Sequence, residues 1–427
     1  MNTYSSYKDS GIEWIGEIPS EWDSLKLKYI FSEKPITHNT ELNCGSISFG
    51  RVVFKDNDKV PISTKKSYQE VLEGEYLINP LNLNYDLKSL RIGLSDIDVV
   101  VSSGYIVIKN RIEISKSYYK WLLHIYDILH MKLLGSGVRQ TISFNHISNS
   151  ILTYPPLHEQ QQISDYLDYK TLKIDTLIEK TQQKIELLKE QRTSLINTTV
   201  TKGLNPNVEM KDSRVEWIGE IPSEWEVVKL KFVGKVVIGL SYSPDNVVDE
   251  GEGTLVMRST NVQNGKPSFH NNVYVNKDIP DRMVTREGDI LICSRNGSRN
   301  LIGKNCIISK DIEGMTFGVF MTIFRSKYWK LIYWVLNSPV FKSQSGLYLT
   351  STINQLTVST IKNLTIPFTF NEREQQQIVD YLDKETSRID KLVDIESKRI
   401  YLLKEYRQSL ISEVVTGKVD VRDEVLV

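Results

Sequence analysis

The chain has 427 residues, 40% of them hydrophobic, and 53 basic residues balance 53 acidic ones. That is enough apolar material for two or three folded domains, and the neutral charge counts mildly against a free-standing nucleic-acid binder, though not against a local basic face or a grip shared with a partner. No apolar run approaches the roughly 18 residues of a spanning helix, the start MNTYSSYKDS lacks the basic and apolar regions of a signal peptide, and Cys44, Cys293 and Cys306 show no disulfide or zinc spacing, so a cytoplasmic protein is expected.

The chain repeats itself. Residues Glu13–Trp22 read EWIGEIPSEW and residues Glu216–Trp225 read the same, 203 positions later. EQQQISDYLD from Glu159 returns as EQQQIVDYLD from Glu374, 215 positions later. Solenoid and propeller units are only about 20 to 50 residues long, so a period of this size marks a duplicated domain with internal two-fold character. In each copy a mixed α/β part comes first, about residues 20–155 and 223–367, with short β-rich runs such as Tyr105 to Lys109 between Gly and Asn turns. A stretch without Gly or Pro follows, 158–202 and 372–416, rich in Glu, Lys, Gln, Leu and Ile, which predicts a long helix. Pro155 and Pro156 precede the first and Gly203 follows it; Asn371 and Glu374 form a candidate N-cap pair for the second, which Gly417 closes. At 1.5 Å per residue each helix is on the order of 65 Å long.

Isoleucine recurs every eleven residues, at Ile163, Ile174, Ile185 and Ile196 and again at Ile378, Ile389, Ile400 and Ile411. Leu177 and Leu188 keep the same step beside the first set, and Leu392 and Leu403 beside the second. An eleven-residue repeat corresponds to about 3.67 residues per turn, so the seam stays on one side of a nearly straight helix. A helix packed only along its own small domain would overrun it, and the other copy's helix is the expected partner. The two could run parallel or antiparallel, and an antiparallel pair would give a pseudo-two-fold axis.

The α/β parts read as one frame with different contents. Gly74-Glu75-Tyr76 matches Gly288-Asp289-Ile290, Ile92-Gly93 is matched with Ile302-Gly303, and Tyr118-Tyr119-Lys120 with Tyr328-Trp329-Lys330. Between the first two matches the copies diverge: NPLNLNYDLKSLR in one and CSRNGSRNL in the other. Asn, Ser, Arg and Lys hydrogen-bond base edges and phosphates, which makes Asn79, Asn82, Asn84, Tyr85, Lys88 and Arg91 candidate contacts in the first copy, and Arg295, Asn296, Ser298, Arg299, Asn300 and Lys304 in the second. Arg51, Lys55, Arg139, Gln140, Arg258 and Asn261 are further candidates near strand ends and a Gly-rich turn. Ser, Asn and Gly are also ordinary turn residues, a reading that weighs equally for the loop taken alone, and each of the further candidates is more often a solvated surface residue than a contact.

Catalytic motifs fail. GSRNLIGKN at Gly297–Asn305 spaces its glycines wrongly for a phosphate loop and ends in Asn where Ser or Thr should bind magnesium. Asn79-Pro80-Leu81 begins like the Asn-Pro-Pro-aromatic motif of adenine methyltransferases but lacks its second proline and its aromatic residue. The histidines have no metal-ligand spacing.

The duplicated WIGEIPSEW block, the LTYPPLHEQQQI and LTIPFTFNEREQQQI lead-ins and the LLKEQRTSLI and LLKEYRQSLI segments together resemble the specificity (S) subunits of type I restriction-modification enzymes, over nearly the whole chain. The resemblance implies an α+β protein with target-recognition domains at residues 1–155 and 205–367, the latter including the linker. Conserved helices at 156–204 and 368–427, the latter with the tail, would pack as an antiparallel coiled coil. It also implies a non-catalytic, DNA-reading chain that assembles with two M subunits, carrying S-adenosylmethionine and methylating adenine, and with R subunits that use ATP and magnesium. Each recognition domain would read one half of a split, asymmetric site. The competing expectation is a duplicated coiled-coil scaffold that never reads DNA.

Overall fold

A computed structural model describes residues 2–56, 60–82, 90–131, 134, 140–348 and 354–424. The chain divides into two compact units, Met1–Thr181 with Lys398–Val427, and Gln182–Ser397. The long helices are Leu157–Lys202 and Glu372–Val415. Each unit therefore contains one α/β part and one stretch of both helices.

Both α/β parts are built on the same four-stranded antiparallel sheet. In the first unit the strand order is Ile92–Leu94, Tyr76–Ile78, Ile106–Asn110, Phe31–Glu33. In the second it is Asn305–Ile307, Ile290–Cys293, Met321–Arg325, Lys235–Ile238. Gly74 and Gly288 both take positive φ, 81° and 83°, at the turn before the equivalent strands, a conformation that glycine adopts without steric cost.

The register corrects two of the matches made from sequence. Ile92 faces Ile78 and Asn305 faces Ile292, so Ile92 corresponds to Asn305 and not to Ile302. Ile302-Gly303 lies in the turn before the strand, where Gly303 has a φ of 84° and a Cβ would sit 2.7 Å from the Phe341 ring. The Tyr-Tyr-Lys match slips by the same three residues. Trp121 and Trp334 each donate their indole N–H to an equivalent aspartate, Asp168 and Asp383, which aligns Trp121-Leu122-Leu123 with Trp334-Val335-Leu336. All six are buried. In both cases similar letters lay three residues from the structurally equivalent position.

The helix stretches run antiparallel within the second unit, where Arg192 pairs with Asp390 and Lys184 with Glu396. In the first unit Arg407 pairs with Asp175, while Arg422 sits over the ring of Tyr4, which donates to Glu159. The eight seam isoleucines, Ile163, Ile174, Ile185, Ile196, Ile378, Ile389, Ile400 and Ile411, are all buried; Leu177, Leu188, Leu392 and Leu403 are half-buried. Ile163, Ile174 and Ile411 belong to the first unit's hydrophobic core, and Ile196 and Ile378 to the second's. The seam thus joins each α/β part to the helices as well as helix to helix.

Asn371 caps the second helix by accepting from the N–H groups of Arg373 and Glu374 at 3.1 and 3.3 Å. The capping box is not closed, because the Glu374 carboxylate accepts instead from Trp225 and Thr369. The repeated EWIGEIPSEW block seals the helix ends: the Trp225 ring lies 3.3 Å from where a Cβ on Gly203 would stand, and the Trp22 ring 3.1 Å from one on Gly417. Both glycines have positive φ, 71° and 74°, the helix-terminating conformation that brings a chain end against a flat ring.

Candidate nucleic-acid interface

The second unit holds a cleft of about 1090 Å³ between the loop that follows Ile290–Cys293, the turn at Gly318–Phe320 and the loops carrying Tyr242 and Arg258. Arg258 and Arg295 supply its charge, Ser259, Thr260, Asn296, Asn354 and Gln355 its hydrogen-bonding groups, and no acidic residue lines it among the described residues. A positive, acid-free cleft with amide and hydroxyl rims suits electron-rich base edges and phosphates.

Its walls are held by backbone bonds. The N–H groups of Ser294 and Arg295 and the Ser294 hydroxyl all donate to the Phe320 carbonyl, at 3.0, 3.1 and 3.0 Å. Arg295 forms an isolated bridge with Gln355. Above this anchor the Arg295 guanidinium lies 5.0 Å from the ring centroid of Phe320, a residue that is 52% exposed.

The remaining second-unit candidates divide. Ser298, Arg299 and Asn300 are exposed, and Arg299 donates to the Gly346 carbonyl at 3.3 Å. Asn296 lines the cleft with its amide bonded to Ser259. Lys304 is turned inward to the Val262 carbonyl at 2.9 Å. Asn261 corrects its sequence reading: it is 0% exposed, accepting from the Arg258 N–H and donating to Ser268 and Asn272, so it organises the loop that presents Arg258.

In the first unit Arg91 needs the same correction. It is 3% exposed, and its side chain is paired with Asp127 at 2.9 Å beneath the sheet edge. Removing a partner from such a buried pair is costly, so this is a packing role. Asn79 is half-buried, its side-chain oxygen accepting from the Leu81 N–H. Asn82 and Gln140 face each other across a short antiparallel ladder. Asn84, Tyr85, Lys88 and Arg139 lie outside the described residues.

Arg51 and Lys55 are exposed on the hairpin Gly45–Ser48/Arg51–Phe54. Its two-residue turn, Phe49-Gly50, has positive φ at both positions, 47° and 75°, the type I′ geometry that Asn-Gly fills best. Phe49 is instead a bulky residue in the left-handed region, and it is 79% exposed. Strain of this kind gathers at functional sites. The turn is also seated: a Cβ on Gly93 would come within 2.7 Å of the Gly50 carbonyl. Sequence reading named Arg51 and Arg295 as candidates but not Phe49 and Phe320. The available signal was an aromatic residue beside glycine at a hairpin tip in one case, and beside a valine after glycine in the other.

A frame built twice, one stretch of each of two long helices in every unit, and unlike polar surfaces on the two frames define a two-headed recognition protein. The model for the type I restriction modification DNA specificity domain matches residues 19–187 and 222–407. The chain belongs to that family, whose members are specificity subunits that recognise DNA targets. It is 25% identical over 425 residues to the type I restriction enzyme MjaVIII specificity subunit of Methanocaldococcus jannaschii, covering 95% of each chain. To the EcoKI specificity subunit of Escherichia coli K12 it is 24% identical over 209 residues, which is 47% of this chain and 44% of that one. Among solved structures, one from work on complex assembly and conformational transition of the type I R-M system superposes with a TM-score of 0.64 at 18% identity, over 94% of this chain and 99% of the other. The HsdS subunit from Thermoanaerobacter tengcongensis gives 0.53 at 16%, over 94% and 98%. These likenesses carry the fold.

Among the described residues no helix is long and apolar enough to cross a membrane, and no group of His, Cys, Asp and Glu could hold a metal ion. All three cysteines are buried, and burial pushes the Cys306 thiol up to about 12, far from the range of a nucleophile.

Proposed function

We propose that this chain is the non-catalytic reading subunit of a cytoplasmic type I restriction-modification complex, in which each unit reads one half of an asymmetric, bipartite DNA target. The paired helices serve as the ruler between the half-sites, about one helical turn apart if both heads face the same side of the duplex. Two M subunits, carrying S-adenosylmethionine, dock on the repeated regions, and each flips and methylates an adenine in its own half-site. R subunits supply the ATP- and magnesium-dependent step.

The observation that carries this reading is the contrast between the copies: one sheet order is built twice, yet the second frame carries an arginine-lined cleft and the first a strained, aromatic-tipped hairpin. Two unlike contact surfaces on equal frames read two unlike sequences. The zero net charge fits a chain whose partners supply much of the phosphate attraction that makes affinity salt-dependent.

The test is competition binding by the chain co-purified with its neighbouring methyltransferase, using a duplex from the host's modified sites against a random duplex. Sequence preference by the complex, and little DNA binding by the isolated chain, is the expected outcome. A complex that forms without any preference identifies a scaffold; a tight, site-specific shift by the isolated chain contradicts the shared grip.

A further inference from the structure

We infer that Arg295, held over the ring of Phe320, reads a guanine in the half-site recognised by the second unit; this rests on the DNA-reading function above and names the base that one side chain takes. Of the cleft arginines, Arg258 already donates to the Asn271 carbonyl at 2.6 Å. Nearby, Arg299 donates to Gly346. The Arg295 guanidinium makes no hydrogen bond and no carboxylate pair among the described residues; the residue is exposed and its guanidinium lies 5.0 Å from the centroid of the Phe320 ring.

An aromatic face attracts a guanidinium without using any of its five N–H donors. A planar fork of donors matches two acceptors side by side, and on duplex DNA that edge is the O6 and N7 of guanine in the major groove. A phosphate offers the same pair of acceptors. The surroundings favour the base: Leu240, Val247, Val273, Val319 and Met321 line the cleft with Phe320 and no lysine does, among the described residues. Those apolar walls suit the flat edge of a base better than a fully charged phosphate, which loses more hydration on entering them. The anchoring of the Phe320 carbonyl by three donors makes the shelf rigid, so the fork is presented in a fixed place rather than searching for it.

The experiment uses the full chain with its methyltransferase partner and a duplex of its own target. Guanines are replaced one at a time by 7-deazaguanine, which lacks the N7 acceptor, and binding is measured for wild type, Arg295→Ala and Phe320→Ala. One guanine, in one half-site only, should cost wild type roughly 10-fold in affinity, the same replacement should cost Arg295→Ala nothing, and Phe320→Ala should show a reduced effect. Arg295→Ala should still discriminate fully at the other half-site. A target with no sensitive guanine in either half overturns the proposal, as does an Arg295→Ala complex as sensitive as wild type. Uniform weakening on every sequence overturns it in favour of a phosphate contact. A wild-type complex without any sequence preference fails the DNA-reading function itself, a different result from a selective complex that ignores 7-deazaguanine.

Discussion

Arg407 grips Asp175 with two parallel hydrogen bonds, Nε to Oδ1 at 2.9 Å and Nη2 to Oδ2 at 3.1 Å. Its guanidinium also lies 5.6 Å from the ring centroid of Trp121, whose indole donates to Asp168. The second unit repeats the whole knot: Arg192 holds Asp390 at 2.8 and 3.3 Å and lies 6.0 Å from Trp334, which donates to Asp383. In each unit one arginine ties both helices to the helix of the α/β part. A recognition surface is only as well aimed as the joint that carries it.

Bidentate geometry raises an otherwise weak, partly exposed ion pair above the usual surface value. A double-mutant cycle on Arg407→Ala and Asp175→Ala, read by urea unfolding, should give a coupling of about 1 kcal/mol. A coupling indistinguishable from zero would remove the knot from the account.

The seam and the outer face of the same helix should differ sharply. Ile174 and Ile389 are buried and Leu187 is 64% exposed. Ile174→Asp or Ile389→Asp should destabilise by about 3 kcal/mol or more through a buried, unpaired charge, and Leu187→Asp by no more than about 0.5 kcal/mol. Equal unfolding midpoints for the three variants would refute the assignment of faces.

Phe49 exchanges stability for exposure at the hairpin tip. Phe49→Asn suits its left-handed backbone and should raise stability by about 1 kcal/mol, while narrowing the difference in methylation between the proper target and targets altered in the half-site of the first unit, because the reader has become indifferent there. Melting and methylation assays on the same preparations check both halves, and a variant with neither change would make Phe49 an ordinary turn residue.

His124 gives the first unit an acid-sensitive joint. It is packed under the second helix, beside Gln408 at 3.4 Å and near Arg407, and burial, with the Arg407 cation acting in the same direction and the Gln408 hydrogen bond against it, pushes its imidazole down to about 4. Between that value and the ordinary 6.5 the unfolded chain takes up a proton that the folded one refuses. The stability at neutral pH is therefore lost progressively as pH falls through this window, at about 1.4 kcal/mol per unit. His124→Gln should flatten the dependence of the unfolding midpoint between pH 6.5 and 4.5; an unaltered slope would assign the acid sensitivity to other groups.

Periodicity carried the helices into view, because an eleven-residue isoleucine step has few structural solutions and Gly203 and Gly417 end both helices in the left-handed region. The sheet was legible only in part. Short strands depend on partners far along the chain, so the Ile92 match slipped three residues until the ladder with Ile78 set it at Asn305. Candidate contact residues were legible as composition and not as geometry. Arg91 and Arg295 look alike as letters, but an aspartate on a distant helix draws one inward while an aromatic turn props the other outward. Asn261 was misread for the same reason, since a buried amide that caps a loop and an exposed one that reads a base share one composition.

The account stands most directly on the map of modified adenines in cells carrying this chain with its methyltransferase. It predicts a single bipartite motif with two unlike halves at one fixed separation, and loss of the motif when the chain is deleted. Modification at a palindromic or undivided site, or at halves whose separation varies, would contradict it.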